Sequence, residues 1–181
     1  MDVVVSPKIS EFETSLLIKV TFRTKANYSV HIFKPKNKQT MRTTTFLTFV
    51  GDQCGKAKEA LDFYTSLFPN SEVKSLVHYA QGEAGGTPEL IKYGVFTLNG
   101  TEYRVSESNY DHKWSFTPGV SLFVDSDSEM EVENLFEKLV AHGGMVLMPL
   151  DNYEAGDYGF GKKFGWVQDK YGISWQVNLT E

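Results

Sequence analysis

Only one cysteine, Cys54, occurs among the 181 residues, which excludes an internal disulfide and any multi-cysteine metal cluster within one chain. A lone thiol suits a reducing, cytoplasmic setting. No apolar run approaches the ~18 residues that a membrane-spanning helix requires, so the chain is expected to be soluble and to have no membrane partner. Clustered positive charge is also missing from the body of the chain. Residues 42–181 carry eleven Lys/Arg against twenty Asp/Glu, a net −9, which argues against nucleic acid as the main partner. The four histidines, His31, His78, His112 and His142, form no pair at helical or strand-ligand spacing.

What is present is core-forming material. A hydrophobic fraction of 41% with 14% aromatic residues is too apolar for disorder, and the length fits one domain or two small fused modules. Residues 1–41 differ from the rest, with seven Lys/Arg against three Asp/Glu, a net +4. They fit neither a secretory signal nor a mitochondrial presequence, because Asp2, Glu11 and Glu13 come early and Lys19 interrupts the only apolar stretch. The preferred expectation is that Met41 is the true start and that residues 1–41 are a non-native or poorly ordered extension. The alternative is a genuine hairpin at the domain edge.

From Thr43 onward one unit is used twice. Residues 44–50 read as a strand, and the following helix carries Ala57, Ala60, Leu61, Tyr64, Leu67 and Phe68 on one stripe before Pro69. Three strands then follow, at 72–79, 91–98 and 101–106, the last two joined by the two-residue turn Asn99-Gly100. The second half repeats this order: a strand at 120–125, then a helix with Val132, Leu135, Phe136, Leu139 and Val140 on one face. That helix has a Ser128/Glu131 capping box and a Gly143-Gly144 stop. Its three strands lie at 145–150, 163–168 and 173–179. The acids from Asp125 to Glu137 read as a solvated helix face. The expected architecture is α+β, with two βαβββ modules, about 43–115 and 116–180, whose mixed sheets enclose a cleft for a small molecule.

These landmarks resemble the vicinal oxygen chelate superfamily of glyoxalase I, extradiol dioxygenases and bleomycin and fosfomycin resistance proteins. Phe63-Tyr64 ahead of Leu67-Phe68-Pro69-Asn70-Ser71 is similar to its PhnB-like branch, also labelled demethylubiquinone methyltransferase-like. So are Phe116-Thr117-Pro118 and the run Phe164-Gly165-Trp166-Val167-Gln168-Asp169 before Gly172 and Ser174-Trp175-Gln176. The resemblance spans residues 41–179. A methyltransferase activity finds no support in the residues, because no Gly-rich strand-to-helix loop exists to hold S-adenosylmethionine. Gly82, Gly85 and Gly86 read as a flexible connection.

In the superfamily's enzymes, His and Glu from the first and last strands of each module hold a divalent metal. That pattern falls here on Thr45, about Gly119, Arg104 and Gln176, none of which is an anionic or imidazole donor, so no metal cofactor is expected. Glu107 would become a ligand only through a register shift, since strand parity places Glu102, Arg104 and Ser106 on one face and Tyr103, Val105 and Glu107 on the other. Its more ordinary reading is a local cap or pairing. Arg104, with Ser106 and Gln176, is a candidate anion-binding group, and a surface ion pair with Glu102 is the alternative. Of the aromatics able to stack a flat ligand, Phe49 and Trp114 are placed at the pocket, while Phe116, Phe123, Trp166 and Trp175 are expected mostly in the core.

His112 is a candidate general base. Cys54 stands at a helix start, where a dipole would lower its pKa, although an inert cysteine is the ordinary reading. The expected function is a metal-independent protein that binds or sequesters a small molecule, with the homodimer implied by the resemblance. The alternative is an enzyme: a glyoxalase-like metal-dependent lyase or isomerase using Glu107 and His112, a metal-free isomerase using them as acid and base, or a dioxygenase.

Overall fold

A computed structural model describes residues 41–153 and 161–180, so the reading of residues 1–40 as an extension lies outside the described residues. The first module runs β1 (Thr45–Phe49), α1 (Ala57–Leu67), β2 (Glu72–His78), β3 (Ile91–Leu98) and β4 (Thr101–Glu107). The second runs β5 (Ser121–Ser126), α2 (Glu129–Val140), β6 (Met145–Asp151), β7 (Lys163–Gln168) and β8 (Ser174–Leu179). Each module forms its own four-stranded sheet, in the orders β1-β4-β3-β2 and β5-β8-β7-β6. The β1–β4 and β5–β8 pairs are parallel and the others antiparallel, so the α+β fold of two βαβββ modules with mixed sheets is the one observed.

Local chemistry sets the elements. The stripe Ala57, Ala60, Leu61 and Tyr64 is buried on α1, as its three- and four-residue spacing requires. Asn99 and Gly100 take φ of 47° and 78°, the paired left-handed geometry that closes a two-residue hairpin between β3 and β4. Ser128 caps α2 by accepting from the Glu131 amide, but the reciprocal half of the box is redirected. Glu131 instead accepts from the Ser126 hydroxyl, and that same oxygen accepts from the Ser128 amide. The helix leaves through His142 and Gly143, both at positive φ.

The two modules join through their helix-bearing sides. Trp175 of β8 lies 5.3 Å from the Tyr64 ring and 6.0 Å from Phe68, and Tyr171 meets Tyr64 edge-on at 5.8 Å. Beneath these rings the buried Asp169 carboxylate accepts from Tyr64 Oη at 2.7 Å, Trp175 Nε1 at 2.8 Å and the amides of Tyr171 and Ile173. Residues of both modules therefore share one core. Fully burying rings of this size stabilises by about 1.5–3 kcal/mol each. Among the described residues no helix covers the opposite sides of the two sheets, and Phe46, Val77 and Phe123 stand about half exposed there.

Candidate functional site

The register of β1 against β4 decides which side chains share the helix-free face of the first sheet. Phe46 lies opposite Arg104 and Thr48 opposite Ser106, whereas Leu47 and Phe49 pair with Val105 and Glu107 on the helix side. In the second sheet Phe123 lies opposite Gln176, and Trp166 flanks Gln176 on its other side. The equivalence of Arg104 and Gln176, inferred from aligning Gly100 with Gly172, thus becomes a matched pair of sites. Each module sets a half-exposed phenylalanine beside one polar side chain.

Several sequence-placed residues fall elsewhere. Phe49 is fully buried, in edge contact with Phe116 at 5.1 Å, and lines the core instead of a pocket. Thr45 pairs with Tyr103 on the helix side, one residue out of phase with Phe46. Gly119 precedes β5, and Phe123 takes the place opposite Gln176. Phe123 is on the open face and not in the core. Trp114 is 56% exposed in the loop between modules, its ring 4.6 Å from His112. Sequence reasoning overlooked Phe46 because both faces of β1 carry a phenylalanine, which removes the apolar contrast that parity needs.

On the first open face Arg104 makes a loose ion pair with Glu102 at 3.7 Å, and its guanidinium lies 6.0 Å from the Tyr93 ring centroid. The ion pair with Glu102 is thus the arrangement observed, and the pair lines a recess of about 250 Å³ together with Arg42, Thr44 and Phe46. Arg104 Nε has no hydrogen-bond acceptor among the described residues. On the second open face the polar groups satisfy one another. Trp166 Nε1 donates to Ser174 Oγ at 2.7 Å, Ser174 and Ser121 share a hydroxyl contact at 2.7 Å, and Gln176 Nε2 donates to Ser121 Oγ at 3.2 Å.

Glu107 is a structural acid. It is 2% exposed, its Oε1 accepts from the amides of Gly55 at 2.8 Å and Ala57 at 3.1 Å, and its Oε2 accepts from Ile91 at 2.8 Å. It does cap a helix, but the helix lies about fifty residues earlier in the chain, so the cap is not local. Cys54 sits close by, and burial followed by the Glu107 charge pushes its thiol up, opposite to the lowering expected at a helix start. His112 Nε2 lies 3.0 Å from Ser108 Oγ, a contact that no sequence spacing announced. The Gly85–Gly86 segment is packed and not a loose connection. A Cβ on Gly86 would meet the Tyr79 ring at 2.3 Å, and Tyr79 Oη in turn donates to the Glu107 carbonyl.

A chelate site of the superfamily type does not fit these residues. The open-face positions are Phe46, Arg104, Phe123 and Gln176, and a divalent ion gains little from any of them. No group of three or more His, Cys, Asp or Glu suited to a metal occurs among the described residues. Nor is any described helix long and apolar enough to cross a membrane.

The family model described as 3-demethylubiquinone-9 3-methyltransferase matches residues 41–178. The PhnB protein from Bacillus cereus is 43% identical over 76% of this chain and 98% of its own, with a TM-score of 0.67. Two more distant structures share the fold. A protein from Pseudomonas aeruginosa is 23% identical over 77% of this chain and 97% of its own (TM-score 0.62). A glyoxylase/bleomycin resistance protein/dioxygenase domain from Frankia sp. is 15% identical over 78% and 98% (TM-score 0.51). A search of curated proteins finds no match. On this likeness the chain belongs to the PhnB-like 3-demethylubiquinone-9 3-methyltransferase family, built on the glyoxalase/bleomycin resistance/dioxygenase fold.

Proposed function

We propose that the protein binds or sequesters a small molecule without a metal, using the helix-free sheet faces. The observation that carries this reading is the commitment of Glu107. Its two oxygens accept from three backbone amides, so this acid, the candidate ligand of the enzyme reading, is held by the fold and is not presented to an ion. A lyase or isomerase built on Glu107 and His112 has correspondingly little support. For methyl transfer, named in the family's description, the Gly85–Gly86 turn offers no cradle for a cofactor, since Tyr79 fills it.

The reading extends to a homodimer in which the open face of one sheet meets that of a second copy. Its support is the half-exposed Phe46 and Val77 on the first sheet, which no helix among the described residues covers. The lone Cys54 supports a reducing compartment such as the cytoplasm, and the acidic body supports a partner other than nucleic acid.

The direct test is metal content after purification without chelators and incubation with nickel, zinc, manganese or ferrous iron under nitrogen. Well below one equivalent of retained metal is the expected result. Near-stoichiometric metal, lost in Glu107→Ala, would overturn the reading and favour a lyase or dioxygenase.

A further inference from the structure

The recess on the first open face has a definite charge. Arg42 and Arg104 bring two guanidinium groups, Glu102 brings one carboxylate, and Thr44 adds a hydroxyl. Glu102 reaches Arg104 only at 3.7 Å, beyond hydrogen-bond distance, so it offsets charge without occupying the donors. Arg104 Nε is buried and finds no acceptor among the described residues, while the side chain as a whole is 43% exposed and can meet a ligand from the recess. Phe46 forms one wall, with Tyr93 behind it at 6.3 Å between ring centroids. A loosely paired guanidinium beside an aromatic wall is equipped for a planar acid: the fork matches a carboxylate, and the ring packs the remainder.

We propose that this recess is a subsite for the carboxylate of a small aromatic acid, and that Glu102 sets a preference for singly over doubly charged anions. The proposal rests on the small-molecule binding reading above and names its ligand class. Two arginines and one glutamate leave a single net positive charge, which a carboxylate neutralises. Stripping water from a phosphonate or phosphate, which carries close to two negative charges, costs far more than from a carboxylate, and a recess of one net positive charge with Glu102 beside it does not repay the difference. Removing the Glu102 charge relieves its repulsion of the dianion more than of the monoanion.

Benzoate and phenylphosphonate serve as matched probes, titrated calorimetrically into the full chain in mildly alkaline buffer where the phosphonate is doubly ionised. Benzoate is expected to bind at least about fivefold more tightly. Arg104→Met should weaken benzoate by about tenfold or more. Glu102→Gln should shift the preference toward phenylphosphonate by about fivefold, and thermal melts of both variants should stay near the parent because the two side chains are partly exposed. Phenylphosphonate bound as tightly as benzoate by the parent protein would overturn the proposal, as would no binding of either probe. Benzoate binding that ignores Arg104→Met would remove the subsite while leaving the binding-protein reading intact. Stoichiometric metal alongside Arg104-dependent benzoate binding would do the reverse.

Discussion

Single residues decide most of what this fold can do chemically, and buried carboxylates are the clearest case. Glu107→Gln keeps the shape but replaces one acceptor oxygen with an NH₂ that must face a backbone N–H. Destabilisation of about 2–3 kcal/mol is expected by urea denaturation, with no change in metal content. Asp169 poses a different problem. Burial pushes its carboxyl up, and the hydrogen bonds from Tyr64, Trp175 and the Ile173 and Tyr171 amides pull it back only in part. A folded pKa above the unfolded one means that the protonated form is favoured by folding. The contribution is therefore fully present below the ordinary Asp value of about 3.9 and is lost as pH rises through the folded value. Comparing urea midpoints of the parent and Asp169→Asn across about pH 3.5 to 6 isolates it. The parent's advantage over the variant should shrink as pH rises, and a constant or growing gap would refute the assignment.

At the scale of elements, the start of α2 depends on two serines. Ser128→Ala removes the acceptor for the Glu131 amide and should cost about 1 kcal/mol. Ser126→Ala is expected to cost a similar amount, because its hydroxyl both accepts from Ser128 and donates to Glu131. The 79–86 segment predicts a steric dependence: Gly86→Ala drives a methyl into the Tyr79 ring and should destabilise by about 1–3 kcal/mol. In a Tyr79→Leu background that penalty should fall, measurable as a double-mutant cycle. The sequence exposes elements well where apolar periodicity is clean, as in α1, and where a turn needs a special pair, as at Asn99-Gly100. Parity on β4 likewise separates Arg104 and Ser106 from Glu107 correctly. It fails on β1, where Phe46, Leu47 and Phe49 are all apolar and neither face is marked. The donors that claim Glu107 were equally hidden, because pairing across about fifty residues leaves no local pattern, and for the same reason Arg42 gave no sign of meeting Arg104 at one recess.

Across the whole molecule, the aromatic joint makes the two modules one cooperative body. Trp175→Ala should remove about 3–5 kcal/mol and split the thermal transition into two steps, visible by calorimetry. Light scattering at high micromolar concentration is expected to report a dimer, with a Phe46→Glu/Phe123→Glu variant monomeric yet folded. The Glu107 latch has a consequence for how the first module comes into being. Helix α1 has no cap of its own, since Lys56 at its N-terminal boundary supplies no side-chain acceptor. Its missing acceptor arrives from the end of β4, after β2, β3 and the intervening hairpin have been laid down. A short helix without a local cap has little stability alone, so α1 should remain frayed in a growing or fragmented chain until residue 107 is in place. In the finished protein the amides of Gly55 and Ala57 and that of the distant Ile91 should then exchange with solvent deuterium as one group, released together when a single carboxylate lets go.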